Sequence, residues 1–331
     1  MKQLSIPIHI KNNRSGERVF RITPELFREA SDRHPEIAAR IDPTIDFDLD
    51  HFDESMATAV ALVTWDLPLA NLDERAPNLR WIHVIGAGVE HLQPLDWLPP
   101  GVTLTNNRGV HATKAGEYGL MALLMLNNAI PELIGAQRQN QFLERFTTSI
   151  AGKTLLVIGA GHMGRAVAQQ AQRFGLRTVG VRRHPQPTSD FDAVHGPGKL
   201  DELLPDCDFL LLALPATPET EGLIDARRLS LLRPGAGLIN MGRAATLDHD
   251  ALSEALTAGR LAGAVLDVFD PEPLPPSSPL WATPNLVITP HMSSDDRDAY
   301  VPLTLDLVFE NLHRLIADQP LRNKVVPELG Y

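Results

Sequence analysis

Residues Thr154–Ile158 (TLLVI) form a short apolar run that leads straight into Gly159-Ala160-Gly161-His162-Met163-Gly164, and residues 162–174 then follow a helical pattern. An apolar run of this kind predicts a strand buried on both faces, and glycines at these three places in a strand–turn–helix passage are a strong constraint on the fold. Gly159 permits the tight turn, Gly161 lets the backbone approach a phosphate, and Gly164 lets the helix pack closely on the strand. His162 and Met163 open the helix, whose N-terminus offers free N–H groups and a partial positive charge. A glycine-rich turn without a ligand is the plainer alternative. The strand-and-helix setting favours a pyrophosphate cradle.

The same alternation runs through the rest of the chain. Residues 4–10 (LSIPIHI), 59–64 (AVALVT), 81–85 (WIHVI) and 102–105 (VTLT) predict strands, and residues 24–41 carry apolar positions at helical spacing. This first segment is expected to be a small α/β unit. From residue 153 onward the runs 154–158, 178–182, 209–214, 237–241, 264–268 and 286–289 give six strand candidates, mostly separated by helices, as in a doubly wound sheet. Between the two segments, residues 114–141 predict a helix with an apolar stripe of Tyr118, Met121, Ala122, Met125 and Leu126, broken or kinked at Pro131. That stripe suits either an interdomain contact or a dimer contact. A last helix, residues 296–316, lies beyond the final strand and is expected to return to the first domain.

Composition narrows the class. With 331 residues and 44% apolar content the chain is long enough for about two domains and too apolar for disorder. A formal charge of −11 argues against general nucleic-acid binding. Cys207 is the single cysteine, so no intrachain disulfide is available; it leads into an apolar strand and is expected to be a core residue. His83, His91, His111 and His162 show no metal-ligand spacing, and no metal is expected. Residues 1–12 lack a continuous apolar segment, and the run at 119–126 (GLMALLML) is far shorter than a membrane span, so a soluble, cytoplasmic protein is expected.

The end of the strand at 178–182 bears on which dinucleotide is bound. NAD-binding folds of this kind place an acidic residue about 20 positions beyond the glycines. Here Arg182 and Arg183 stand 18 and 19 positions beyond Gly164, and residues 176–187 contain no Asp or Glu. Two guanidiniums suit a 2′-phosphate, which a carboxylate would repel. NADP(H) is the expected cofactor, with NAD(H) possible; a solvated basic turn is the alternative.

Three further polar residues follow later strands, where open α/β sheets place their sites: Arg243, Glu272 within DVFDPEPLP, and His291 within ITPH. Together with the glycine loop they resemble the D-isomer-specific 2-hydroxyacid dehydrogenase family over about residues 65–316. The segments that carry the resemblance are IGAGVE (85–90), LPATPET (214–220), LINMGR (238–243), 248–256, 263–274 and Pro290-His291. The wording around Gly86 and at 65–68 (WDLP) is similar to the glyoxylate/hydroxypyruvate reductase branch.

The resemblance implies two Rossmann-like domains with a cleft between them. A doubly wound parallel-sheet dinucleotide-binding domain spans 106–296, and a smaller flavodoxin-like substrate domain spans 1–105, completed by 297–331. It also implies reduction of a small 2-oxo acid such as glyoxylate or hydroxypyruvate to the D-2-hydroxy acid, in a homodimer formed through residues 114–141. Arg243 would bind the substrate carboxylate and carbonyl, with backbone N–H groups near Ala87 and Gly88 serving the same carboxylate. His291 would donate the proton, and Glu272 would hold its other ring nitrogen. Leu214, Pro215, Thr220, Met241, Gly242, Asp267 and Ser293 carry over as cofactor contacts, Asp267 near the nicotinamide carboxamide. Departures from the family pattern are Ala244-Ala245-Thr246 after Arg243, and Ala115-Gly116-Glu117, where a smaller Ala115 is expected to loosen local packing. A dinucleotide-sensing binding protein of the same fold is the alternative from another functional class.

Overall fold

Every pairing between strands of two or more residues in the computed structural model, which describes residues 5–327, is parallel, as expected of strands joined by helical crossovers. The strands form two sheets in two units. One unit holds the described residues up to His111 together with those from Asp296 onward; the other is Ala112–Asp295. The expected borders at 105/106 and 296/297 differ slightly from these. The segment after residue 105 stays with the first unit because Asn106 and Asn107 are buried there. The Asn106 side chain donates to the Ala87 carbonyl at 2.7 Å, and that of Asn107 donates to Ile85 and to Thr304.

In the first unit the chain runs β1 (Ile6–Asn12), α1 (Pro24–Arg33), α2 (Pro35–Ala38), β2 (Ile41–Phe47), α3 (Phe52–Met56), β3 (Ala61–Thr64), α4 (Leu72–Arg75), β4 (Trp81–Val84) and β5 (Thr103–Asn106). The sheet order is β2-β1-β3-β4-β5, the flavodoxin-like arrangement. Leu4, expected to begin the first strand, lies outside the described residues. The helix expected over 24–41 stops at Arg33. Thr23 caps its start, its hydroxyl accepting the Leu26 N–H at 3.3 Å, and Pro35 cannot extend it, so a separate short turn begins there. Ile41 then opens β2, a strand the sequence does not announce. β2 is an edge strand, mostly not buried, and it contains Pro43, which an edge tolerates.

In the second unit α5 (Ala112–Asn127) and α6 (Ile130–Arg138) meet at a 64° bend. The break falls at Ala129, whose φ is +52°, and Pro131 sits harmlessly in the first turn of α6. Then come β6 (Thr154–Ile158), α7 (His162–Arg173), β7 (Arg177–Val181), β8 (Ala193–His195), α8 (Leu200–Leu203), β9 (Phe209–Leu212), α9 (Ala226–Leu231), β10 (Gly237–Asn240), α10 (His249–Thr257), β11 (Gly263–Leu266) and β12 (Leu286–Ile288). The order β12-β11-β10-β9-β6-β7-β8 makes a seven-stranded doubly wound sheet whose strand order reverses between β6 and β9. β8, a three-residue half-buried edge strand, is the one not predicted. The chain returns to the first unit as α11 (Tyr300–Ile316), which starts four residues later than expected and sets Phe309 against Phe27 of α1.

No single helix among the described residues is long and apolar enough to cross a membrane. Residue Cys207 is fully buried, and burial pushes its thiol up to about 12. Helix α5 buries Ala115, Tyr118, Gly119, Ala122, Leu123 and Leu126, whereas Met121 of the predicted stripe is 42% exposed. That buried face packs on α7. The Ala115-Gly116 pair does not loosen it, since a Cβ on Gly116 would already lie 3.0 Å from the Ala166 carbonyl oxygen. A Cβ on Gly119 would collide with the Val167 side chain. Gly119→Leu is therefore expected to destabilise the protein by about 1–3 kcal/mol in urea unfolding followed by circular dichroism. Gly135→Ala on α6, where no atom lies within 4 Å, should leave stability unchanged or raise it by up to about 1 kcal/mol.

Candidate active site

The three glycines of the β6–α7 turn serve different ends. Gly159 has φ +100°, and a Cβ there would run into the Ala213 backbone; one on Gly164 would strike the Gly159 carbonyl and Val157. Both are demanded by packing. Gly161 has ordinary extended backbone as the N-cap of α7, and no atom lies within 4 Å of where its Cβ would be. Its missing side chain keeps the mouth of the helix clear, and it supplies no side-chain cap to the first turn, which His162 and Met163 open. The turn is anchored by the N–H groups of Gly159 and Ala160, which both donate to the Val181 carbonyl, at 3.0 and 3.1 Å.

Across the strand-order reversal, the turns after β9 and β10 form a packed floor. A Cβ on Gly242 would lie 2.7 Å from the backbone N and O of Leu214, so the two turns touch main chain to main chain, and Met241 is buried beneath. The Thr220 hydroxyl donates to the Pro215 carbonyl at 2.7 Å and accepts the Thr217 N–H at 2.9 Å, which closes the 214–220 turn. Arg182 and Arg183 are both exposed at the end of β7. The Arg182 backbone is held by its N–H to the His195 carbonyl of β8, and Arg183 Nη2 lies 3.5 Å from Glu219 Oε2.

Arg243, Glu272 and His291 follow three neighbouring strands whose last residues, Asn240, Leu266 and Ile288, stand level in the sheet. The buried Asn240 side chain shapes the first turn: it accepts the Gly242 N–H at 3.1 Å and donates to the Arg243 carbonyl at 3.2 Å. His291 Nδ1 lies 2.8 Å from Glu272 Oε2, while the other Glu272 oxygen accepts the Phe269 N–H at 2.8 Å. The carboxylate is thus held by backbone and in turn holds the imidazole, leaving Nε2 as the ring nitrogen available to a reactant. His291 has φ +51°, a left-handed conformation that turns the chain sharply after β12.

Asp267 makes that turn possible. Fully buried, it accepts the Thr289 hydroxyl at 2.6 Å and the Met292 and Ser293 N–H groups at 2.9 and 2.8 Å. Thr289 also meets the Tyr118 hydroxyl at 2.6 Å, and burial pushes that phenol up to about 12. Asn240 and Thr289 are residues the sequence leaves unmarked, and Tyr118 is marked there only as part of an apolar stripe. Their signal is a polar side chain amid a strand or helix that otherwise reads as apolar. In the first unit, the loop bearing Ala87 and Gly88 is fixed through its carbonyls: Ile85 accepts the Tyr300 hydroxyl at 2.8 Å, and Gly86 accepts the Asn107 N–H at 2.9 Å. A Cβ on Gly86 would run into the Trp65 indole, which stacks on His91 at 4.1 Å. Trp281 is 54% exposed and donates to the Pro275 carbonyl.

Comparison with known proteins agrees with this architecture. A family model described as the NAD binding domain of D-isomer specific 2-hydroxyacid dehydrogenase matches residues 120–293. A glyoxylate/hydroxypyruvate reductase B from Pectobacterium atrosepticum is 33% identical over 265 residues, covering 77% of this chain and 82% of that protein. Among solved structures, a D-isomer specific 2-hydroxyacid dehydrogenase from Xanthobacter autotrophicus Py2, in complex with NADPH and MES, superposes with a TM-score of 0.84 at 29% identity, covering 99% of this chain and 100% of that one. An NADPH-dependent glyoxylate/hydroxypyruvate reductase from Sinorhizobium meliloti, in complex with NADP and sulfate, superposes with a TM-score of 0.81 at 25% identity, covering 98% of this chain and 99% of that one. With its glycine turn and its arginine, glutamate and histidine at three successive strand ends, the chain belongs to the D-isomer specific 2-hydroxyacid dehydrogenase family, alongside the glyoxylate/hydroxypyruvate reductases.

Proposed function

We propose that this protein reduces a small 2-oxo acid, of the size of glyoxylate or hydroxypyruvate, to the D-2-hydroxy acid with NADPH. The observation that carries the reading is the 2.8 Å contact between His291 and a Glu272 carboxylate itself held by backbone. An imidazole oriented in this way suits proton transfer, which sensing a dinucleotide does not require. The residues around the glycine turn fit NADP(H): no side chain of Gly161 crowds a pyrophosphate at the start of α7, and the two exposed guanidiniums after β7 suit a 2′-phosphate. NADH, lacking that phosphate, is the weaker cofactor. His162, Met163, Leu214, Pro215, Thr220, Met241 and Gly242, which follow β6, β9 and β10, are the further residues we assign to the cofactor, Met241 from beneath.

NADPH, when bound, supplies the hydride to the carbonyl carbon. The protein does the rest. The Arg243 guanidinium, always charged, binds the substrate carboxylate and draws electron density toward the carbonyl oxygen. His291 Nε2 gives its proton to that oxygen as the alkoxide develops, and the Glu272 carboxylate, accepting from Nδ1–H, fixes the ring and offsets the positive charge it carries. Asp267 and Ser293 act through the loop: they hold His291 in place, which accounts for Asp267 without a direct cofactor contact.

Self-association also belongs to the proposal, with a change of surface. Within 114–141 most apolar residues of α5 are buried, while Met121 and Ile134 stay exposed, and the most exposed apolar side chains lie just beyond, Phe142 at 95% and Phe146 at 92%, with Leu143 between them. A second copy of the chain is the occupant that suits them.

Two experiments test these assignments. NADPH oxidation followed at 340 nm with glyoxylate and hydroxypyruvate should show turnover. His291→Asn should lower kcat about 10²- to 10⁴-fold with nucleotide binding intact, and Glu272→Gln should lower it by a smaller factor. Tight nucleotide binding without turnover on any 2-oxo acid would leave the sensing reading standing instead. For assembly, light scattering on a sizing column should report a dimer for the parent protein and a monomer for the Phe142→Asp, Phe146→Asp double variant; a parent monomer would rule the dimer out.

A further inference from the structure

The strand-end loop of β7 carries no carboxylate between residues 176 and 187, so the acidic group that commonly receives the ribose 2′-hydroxyl of NAD is absent from its usual place. The fold supplies one from another loop. Glu219, in the turn after β9, brings Oε2 to 3.5 Å from Arg183 Nη2. The backbone that presents it is rigid: Thr220 N–H and Glu221 N–H both donate to the Thr217 carbonyl, at 2.9 and 3.0 Å, and the Thr220 hydroxyl closes the turn onto Pro215. A hydrogen bond from Thr217 and the charge of Arg183 hold the Glu219 carboxyl below the usual carboxylate range, so it is ionised at neutral pH.

We propose that Glu219 is a specificity-determining residue that moderates the preference for NADPH over NADH by competing with the 2′-phosphate for Arg183. The proposal rests on the assignment of Arg183 to that phosphate. When NADP(H) binds, Arg183 must turn from Glu219 to the phosphate, and the phosphate comes to lie near a fixed negative charge. When NAD(H) binds, the Arg183–Glu219 pair persists, and the carboxylate is placed to accept the ribose 2′-hydroxyl. Glu219 thus works against one cofactor and for the other. Both partners are largely exposed, 39% for Arg183 and 69% for Glu219, so the effect is modest and salt-sensitive.

Titration calorimetry with NADP⁺ and NAD⁺, which needs neither substrate nor turnover, reads the effect directly. Glu219→Gln is expected to raise the ratio of NADP⁺ to NAD⁺ affinity about two- to fivefold at low salt. Arg183→Gln should lower that ratio, and adding Glu219→Gln to Arg183→Gln should raise it by clearly less than in the parent, because the larger part of the competition acts through the arginine. An unchanged or lowered ratio in Glu219→Gln, or an equal gain in the Arg183→Gln background, overturns the proposal while the cofactor assignment stands. If Arg183→Gln itself leaves NADP⁺ binding untouched, the assignment of Arg183 fails, and the role of Glu219 fails with it. Matching unfolding midpoints for all variants would keep a folding defect from imitating any of these results.

Discussion

A carboxylate taken fully out of water is costly unless its oxygens are satisfied, and in the second unit Asp267 turns that requirement into architecture. Its three donors come from Thr289, Met292 and Ser293, one at the end of β12 and two just past the His291 turn. The side chain standing at the end of β11 thereby dictates the path of the neighbouring strand's exit. Thr289 passes the constraint on to Tyr118, so α5 is tied to the same point. The left-handed backbone at His291 is then one part of a structure that over-determines it. Nearby, burial pushes the Asp295 carboxyl up.

The parallel sheet explains why the chemistry collects where it does. Parallel strands in register all end on one edge, and each exit must turn into a crossover. Asn240, Leu266 and Ile288 end level, so the residues that follow them stand side by side whatever their separation in sequence. Each turn is stabilised by its own polar side chain: Asn240 after β10, Glu272 on the Phe269 N–H after β11, and Asp267 on the loop after β12. Arg243 and His291 therefore project from turns that need no ligand to hold their shape. Such preorganisation is what a charge-stabilising site requires, since little must be rearranged when charge develops.

Much of this could be read from the chain because buried strands advertise themselves. β6, β9, β10 and β11 are continuous apolar runs, and the glycine turn announces both the strand before it and the helix after it. The strands missed, β2 and β8, lie at sheet edges, where exposure mixes polar with apolar residues and the pattern dissolves. The helical spacing over 24–41 misled for a local reason, because Pro35 divides that stretch into α1 and the short α2, and β2 opens at its last residue, Ile41. The meeting of Glu272 with His291 was legible by residue type and place, but the service of Asp267 to the loop was not. Nor was the meeting of Arg183 with Glu219, which depends on two turns brought together by the sheet.

The glycine turn separates what a fold needs from what a ligand needs. Gly159 and Gly164 are explained without any cofactor, since a side chain at either would strike the protein's own main chain. Their presence would be equally expected in a turn that bound nothing. Gly161 is different, for its conformation suits any residue and no neighbour crowds it. Ser, Thr, Asp or Asn at that N-cap would stabilise α7 by about 1 kcal/mol through a hydrogen bond to its first turn. The chain forgoes that stabilisation and places no side-chain cap on the N–H groups of the first turn. A physical reason for doing so is that those donors serve an anion from outside the protein, with no side chain in its path. The residue that packing does not require is therefore the one that speaks most directly for the pyrophosphate.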